Sequence, residues 1–181
     1  MVSSFTAMAT RCVFEAQIFV ATFGASNYSF AEATTSQKLP DWIKSHIRAL
    51  EFFGGVPQIL VPDNLKSGVT HPCRYEPDVN PTYMDLARHY GTTVIPARPG
   101  KPKGKAKVES SVLIAERWIL AALRNHRFFS LAELNKAIGE KLVLFNQRPL
   151  QRMKASRHHL FETVDRPALS PLPAHRYEFA Q

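Results

Sequence analysis

The chain has 181 residues, 45% of them apolar, a formal net charge of +8 and a pI near 9.7. That length suits one domain with a small extension, and the apolar share supports a buried core, which excludes a disordered tail. The surplus of Lys and Arg favours a polyanionic partner, either nucleic acid or an anionic surface.

Cysteine usage is uninformative about metal. Cys12 and Cys73 stand far apart, His71-Pro72-Cys73 lacks a second pair, and His158 and His159 are adjacent rather than one helical turn apart. A structural zinc site is not expected, and reduced thiols are. The longest apolar run, around Ile18 to Phe23, is too short to span a bilayer, and the first residues do not form a charged-then-apolar leader. A cytoplasmic protein with no membrane partner is expected.

Residues 1–12 are rich in Ser, Thr and Ala, contain no acid, and read as a weakly ordered lead-in, with a weak strand over Val2 to Thr10 as the alternative. Val13 to Phe23 reads as a strand with Phe14, Ala16, Ile18 and Val20 on one face. Gly24-Ala25-Ser26-Asn27 makes a turn into a second strand, Tyr28 to Thr35, so the two predict an antiparallel hairpin. Leu39 to Phe53 is a helix: Pro40 fits its first turn, Asp41 favours the positive end of the dipole, Trp42, Ile43, Ile47 and Leu50 form an apolar stripe, and Gly54-Gly55 ends it. Trp42, Phe52 and Phe53 could be imagined as a base-stacking platform, but their helical spacing favours core packing.

Ile59-Leu60-Val61 then reads as a short buried strand that stops at Pro62, with Asp63 immediately beyond. An acid at the C-terminal end of a buried strand sits where open α/β sheets hold their ligands. Asn64 to Gly68 is a turn with Lys66 well placed for a phosphate, and His71 to Val79 reads as loop. Asn80 as cap and Pro81 at the first position announce a helix with Tyr83, Leu86, Ala87 and Tyr90 inward, stopped by Gly91. A short strand, Thr92 to Pro96, follows.

The next stretch holds Arg98, Lys101, Lys103, Lys105 and Lys107 among two prolines and two glycines. A loop of this kind cannot bury its ammonium groups, so it stays solvated; a plain charged linker and a phosphate-gripping loop both fit. Glu109 is its first acid and opens a helix that packs through Val112, Ala115, Ile119 and Ala122. Glu116 lies on nearly the same face, about 10 Å further along the axis. Only one of the two can therefore serve a metal pair whose ions lie about 4 Å apart. Glu109, beside the basic loop, is the better candidate, and Glu116 is expected to be solvated or salt-bridged. Ser130 and Glu133 form a capping box, with a Phe129 to Leu134 staple, for a helix buried through Leu131, Leu134, Ile138, Leu142 and Phe145 and ending at Asn146-Gln147-Arg148-Pro149. The compact unit, 13–157, is expected to close near Arg157, leaving 158–181 as an extended Pro-rich tail that packs lightly or not at all.

Several of these segments resemble one family. Phe53-Gly54-Gly55-Val56-Pro57, the run from Val61 through Asp63 and Lys66 to Val69, and the run from Pro96 to Glu109 are similar to the integrase-type catalytic core of IS21-family transposases. Phe145-Asn146-Gln147-Arg148-Pro149 resembles the Tyr/Phe-Asn-x-x-Arg-Pro element that follows the catalytic helix in integrases generally. The resemblance covers Phe14 to Pro173.

It implies an α/β, RNase H-like mixed sheet flanked by helices and a three-carboxylate site for DNA strand transfer. Asp63 maps as the second carboxylate and Glu109 as the third, both as ligands for Mg²⁺ or Mn²⁺, which prefer oxygen donors. In such sites one ion activates the attacking oxygen and the other stabilises the leaving oxygen. Lys66, Arg98, Lys101, Lys103, Lys105, Lys107 and Arg148 become DNA-phosphate contacts that position the strand rather than read its sequence. The implied partners are DNA at transposon ends and target, further copies or an intact transposase, and an ATPase helper.

One departure stands out. The family's first carboxylate lies on a strand before the hairpin, and residues 1–10 hold no Asp or Glu, while Glu15 and Glu32 sit on other strands. The expectation is an N-terminally truncated copy without its first strand and with severely reduced chemistry. A non-catalytic DNA-binding remnant that poisons intact transposase is the alternative.

Overall fold

The computed structural model describes residues 4–9, 12–62, 69–71, 78–95, 102–150 and 154–179. The chain forms two compact units, one of Met1–Gln37 with Ala106–Pro167 and the other of Lys38–Lys105 with Ala168–Gln181.

The first unit is built on a three-stranded antiparallel sheet in the order β1-β2-β3, from β1 (Ser4–Ala9), β2 (Cys12–Thr22) and β3 (Ser29–Thr34). The predicted hairpin is present, with Thr22 opposite Ser29 and Gln17 opposite Thr34. Its turn holds Asn27 at φ 56°, a left-handed conformation that asparagine tolerates better than most residues. Of the two readings open for residues 1–12, the structure has the strand: Ser4 pairs with Gln17 and Ala9 with Cys12. Without it the 11 residues of β2 would present an unpaired row of backbone donors and acceptors, so even a weakly apolar segment gains by adding to that edge. The position beside β2 is thus filled, by a strand that carries no carboxylate.

Helices α3 (Pro102–Leu123) and α4 (Leu131–Gln147) complete this unit. Ala115, Ile119 and Leu123 of α3 are buried, as are Leu134, Ile138, Leu142 and Phe145 of α4. The capping serine acts as its sequence predicts, Ser130 Oγ accepting from the Glu133 amide at 3.1 Å, while Glu133 Oε2 reaches one residue further back than in a standard box and accepts from the Phe129 amide at 2.8 Å. The staple does not form, because Phe128 is buried and Phe129 is 62% exposed.

All six residues of β3 are buried, and α4 closes the strand's outer edge. Asn146 Oδ1 accepts from the Ser29 amide at 3.0 Å while its Nδ2 donates to the Ser29 carbonyl at 2.8 Å. Asn135 repeats the arrangement at Ala33, at 2.6 and 2.9 Å. The two asparagines are three helical turns apart, so both face the strand, and each amide supplies the donor and acceptor that a neighbouring strand would have offered.

The segment expected as a loose tail is ordered and packed. α5 (Arg157–Leu160) leads into a π-helical turn, Phe161–Asp165, and a 3₁₀ turn, Arg166–Ala168. Phe161 is buried, stacked on Tyr28 at 4.4 Å and beside Phe23 at 5.3 Å, and Asp165 Oδ2 accepts from the Ser26 amide. Apolar and aromatic residues between the prolines give this stretch a face to bury, which its proline content obscures in the sequence.

In the second unit α1 (Leu39–Phe53) packs on α2 (Pro81–Tyr90), with the Trp42 and Tyr83 rings 4.2 Å apart. Both helices have the bounds and inward faces predicted. Asn80 Oδ1 accepts from the Thr82 amide, and Gly54 and Gly91 stop their helices in the left-handed conformation, at φ 70° and 67°. Phe53 and Trp42 are core residues, as expected from their spacing, and Phe52 is 40% exposed. β4 (Ile59–Leu60) pairs in parallel with β7 (Thr93–Val94), and β5 (Val69–His71) pairs with β6 (Asp78–Val79) in a stretch that reads from sequence as loop. The end of the chain joins this unit: Val56 and Ser170 exchange both backbone hydrogen bonds, Arg176 pairs with Glu51 and Tyr177 Oη donates to Asp85 at 2.8 Å.

Candidate nucleic-acid interface and carboxylate site

The strand leading to Asp63 and the strand leading to Arg98 run side by side in the same direction. Leu60 is opposite Val94, the Thr93 amide donates to the Gln58 carbonyl and the Ile95 amide to that of Leu60. Both segments therefore leave the pairing at one end, the C-terminal end, which is where parallel strands deliver ligand-binding residues. The strand is less buried than its apolar run suggests. Ile59 is 51% and Val61 54% exposed, while Pro62 is buried. With β7 as the one partner of this two-residue strand among the described residues, the side chains on its outer face keep their solvent. Asp63, Lys66, Arg98 and Lys101 lie outside the described residues.

Lys103, Lys105, Lys107 and Glu109 lie on α3, which begins at Pro102. The sequence pattern starts this helix only at Glu109 and makes the lysines a loop; Pro102 is well suited to a first helical position and lysine is a good helix former, which outweighs the cost of about 1 kcal/mol for Gly104. Glu109 accordingly sits about two turns into the helix rather than in its first turn. The first turn has no acid. Three lysines over the N-terminal turns oppose the helix dipole, by roughly 0.3–1 kcal/mol each near the end itself, and an anion there would offset this.

Glu116 departs from expectation. It is 2% exposed rather than solvated, and its Oε1 has no hydrogen-bond partner. It shares its helix stripe with Ile119 and Leu123, a position whose apolar pattern extends through the glutamate.

Arg148 is exposed and follows α4 directly, its amide donating to the Leu144 carbonyl. Beside it the structure reveals a residue that the sequence leaves within a generic basic segment. Arg157 is 8% exposed, with its guanidinium carbon 3.9 Å from the centre of the Phe145 ring and Nη1 donating to the Phe145 carbonyl at 3.1 Å. Burial, and secondarily the charge of Arg148, lowers its pKa from the usual arginine value. The sequence signal for it is slight: one arginine among several, distinguished only by following a helix-capping serine, whose Oγ accepts from the His159 amide.

Among the described residues no three His, Cys, Asp or Glu side chains are grouped to hold a metal ion. No protein-family profile matches the chain. It is 56% identical over 167 residues, 92% of its length, to a candidate transposase for insertion sequence IS408 from Burkholderia multivorans, of which it covers 32%. It is 27% identical over 156 residues, 85% of its length, to the transposase for insertion sequence element IS21 from Pseudomonas aeruginosa, of which it covers 39%. Over nearly its whole length the chain is thus similar to part of several insertion-sequence transposases. It spans about a third of the length of the curated relatives it matches. Among solved structures, the chain is similar to the HTLV-2 integrase catalytic core domain, determined in complex with magnesium in a dimeric form. The identity is 12% and the TM-score 0.61, with 88% of this chain and 92% of that one covered. The fold is therefore the RNase H-like fold of integrase catalytic cores.

Proposed function

We propose that the chain is a catalytic-core segment of an IS21-type transposase, built to hold DNA by its phosphates and carrying two of the three carboxylates of a strand-transfer site. The identity shared with the IS408 relative along nearly the whole chain carries this reading. The integrase-type fold supports it independently.

In this reading Asp63 and Glu109 hold a divalent cation, Mg²⁺ or Mn²⁺. Their oxygen donors are the kind such ions prefer, and two protein carboxylates leave coordination positions for water and substrate oxygens. Bound there, the ion supplies charge neutralisation and Lewis acidity at a phosphodiester. Lys66, Arg98, Lys101, Lys103, Lys105 and Lys107 hold the DNA backbone and fix the scissile strand without selecting sequence. Further copies of the chain, or an intact transposase, and an ATPase helper are partners in the same reading.

A specific observation favours a non-catalytic role for the chain by itself. The strand beside β2, where the family places its first carboxylate, is Ser-Phe-Thr-Ala-Met-Ala. Binding to DNA then outlasts cleavage, and a chain that binds without cutting would poison an active assembly.

The reading is tested by anisotropy titrations of a labelled DNA duplex over a range of salt concentrations. Neutralising Lys101, Lys103, Lys105 and Lys107 together lowers the log–log salt slope by about 0.9 for each duplex phosphate that is no longer neutralised. An unchanged slope would make this stretch a solvated linker and remove it from the interface.

A further inference from the structure

Arg148 and Arg157 are brought together by a small hairpin at the end of α4. Pro149 pairs antiparallel with Ser156, and the Leu150 amide donates to the Ala155 carbonyl at 2.9 Å. Arg148 and Arg157 flank this bridge on its outer side, one ending α4 and the other opening α5, and the charge of Arg148 acts on Arg157. Like charges set opposite each other across such a pairing repel, and a carboxylate between them is the usual remedy. Here neither arginine meets one among the described residues, and the sequence between Arg148 and Arg157 contains no acid.

The two side chains differ in a useful way. Arg157 is fixed, with its face on the Phe145 ring and Nη1 committed to the Phe145 carbonyl, and its Nε is buried with no hydrogen-bond partner. Arg148 is exposed. A guanidinium fixed on its ring beside an exposed one sets two cationic groups, of the residue type suited to phosphate, side by side for one tetrahedral anion.

We propose that Arg148 and Arg157 form a clamp for a single phosphate of a nucleic-acid backbone, with Arg157 as its preorganised arm. The choice of DNA as the source of that phosphate rests on the function proposed above; the anion site itself does not. A purely structural Arg157, stacking on Phe145 and capping α4, is the competing explanation.

The test compares Arg148→Gln, Arg157→Lys, Arg157→Gln and the double glutamine variant in salt-dependent binding of a labelled duplex, with thermal unfolding of each. Arg148→Gln lowers the log–log slope by about 0.9, the value for one phosphate, and the double variant lowers it by no more than the single one, because both arms hold the same phosphate. Arg157→Lys keeps the charge and loses the planar fork, so it weakens binding more than it changes the slope. An unchanged slope in Arg148→Gln, an unchanged affinity in Arg157→Lys, or losses that simply add, would overturn the clamp even if Arg157→Gln fails to fold. Should the chain bind no duplex, inorganic phosphate at matched ionic strength decides. A melting temperature raised in the wild type and not in Arg148→Gln keeps the site with free phosphate as its ligand, and no difference overturns it.

Discussion

Asn146, in the Phe-Asn-x-x-Arg-Pro element, bonds both backbone groups of Ser29 from within the core. Truncation to Ala would leave a buried amide and carbonyl of β3 unmatched. We expect Asn146→Ala to destabilise the protein by roughly 2–4 kcal/mol in urea unfolding, and Asn135→Ala, at a less buried site, by less. Asn146→Asp, which still accepts from Ser29 but cannot donate to its carbonyl, is expected to lie near the alanine variant at neutral pH. A loss below about 0.5 kcal/mol would mean that water replaces the amide and that α4 does not protect the strand edge. The motif is legible in the sequence and its mechanical role is not, since nothing in the spacing of Asn135 and Asn146 says that a strand edge lies opposite them.

His46 gives the residue scale a pH dependence. Its ring lies 4.0 Å from that of Trp42 and 5.2 Å from that of Tyr83, and desolvation lowers its pKa to about 4, against a smaller opposing effect of the Trp42 carbonyl at Nδ1. Between pH 4 and 6.5 the unfolded chain binds a proton that the folded chain does not. The stabilisation is thus complete above about pH 6.5 and is lost as pH falls toward 4, by at most roughly 3 kcal/mol. Urea unfolding at a series of pH values checks this: His46→Phe should lose less stability than the wild type across that window, and equal losses would remove His46 from the acid response.

At the scale of elements, helix caps are the most readable features. Asn80, Gly54, Gly91 and the Ser130–Glu133 pair act within a turn of their own position, so their chemistry is local and survives in the sequence. The start of α3 and the packing of the last 24 residues are not readable, for opposite reasons. Proline, glycine and lysine mark loops on average, yet Pro102 and its lysines are compatible with a helix end. Prolines after Arg166 exclude regular structure, yet the stretch between them still pairs with the rest of its unit. Gly55 shows how closely it does so: a Cβ there would lie 2.8 Å from Leu169 Cβ and 3.0 Å from the Ser170 carbonyl oxygen. Gly55→Ala should force the Val56–Ser170 pairing apart, with a loss of roughly 1–3 kcal/mol and faster proteolysis after Ala168. Unchanged proteolysis would show that the segment shifts without releasing.

For the whole molecule, family resemblance conveys the fold class and the transposase lineage, and local patterning conveys the hairpin and the two helices of the second unit. Long-range pairing stays hidden. β1 is a strand because β2 needs an edge partner, not because Ser4 to Ala9 favour one, and its lack of acid is the feature that most constrains the chemistry. The carboxylates proposed for the site, Asp63 and Glu109, are tested by direct measurement.

That measurement is divalent-metal-dependent cleavage of labelled duplex DNA by the purified 181-residue chain, with Glu109→Gln in parallel and binding followed on the same duplex. Binding by both chains with no cleavage by either, in Mg²⁺ or Mn²⁺, is the result expected of a DNA-gripping core that carries two carboxylates of three. Cleavage by the wild type that Glu109→Gln abolishes would contradict this, because a third ligand would then have to come from elsewhere in the chain.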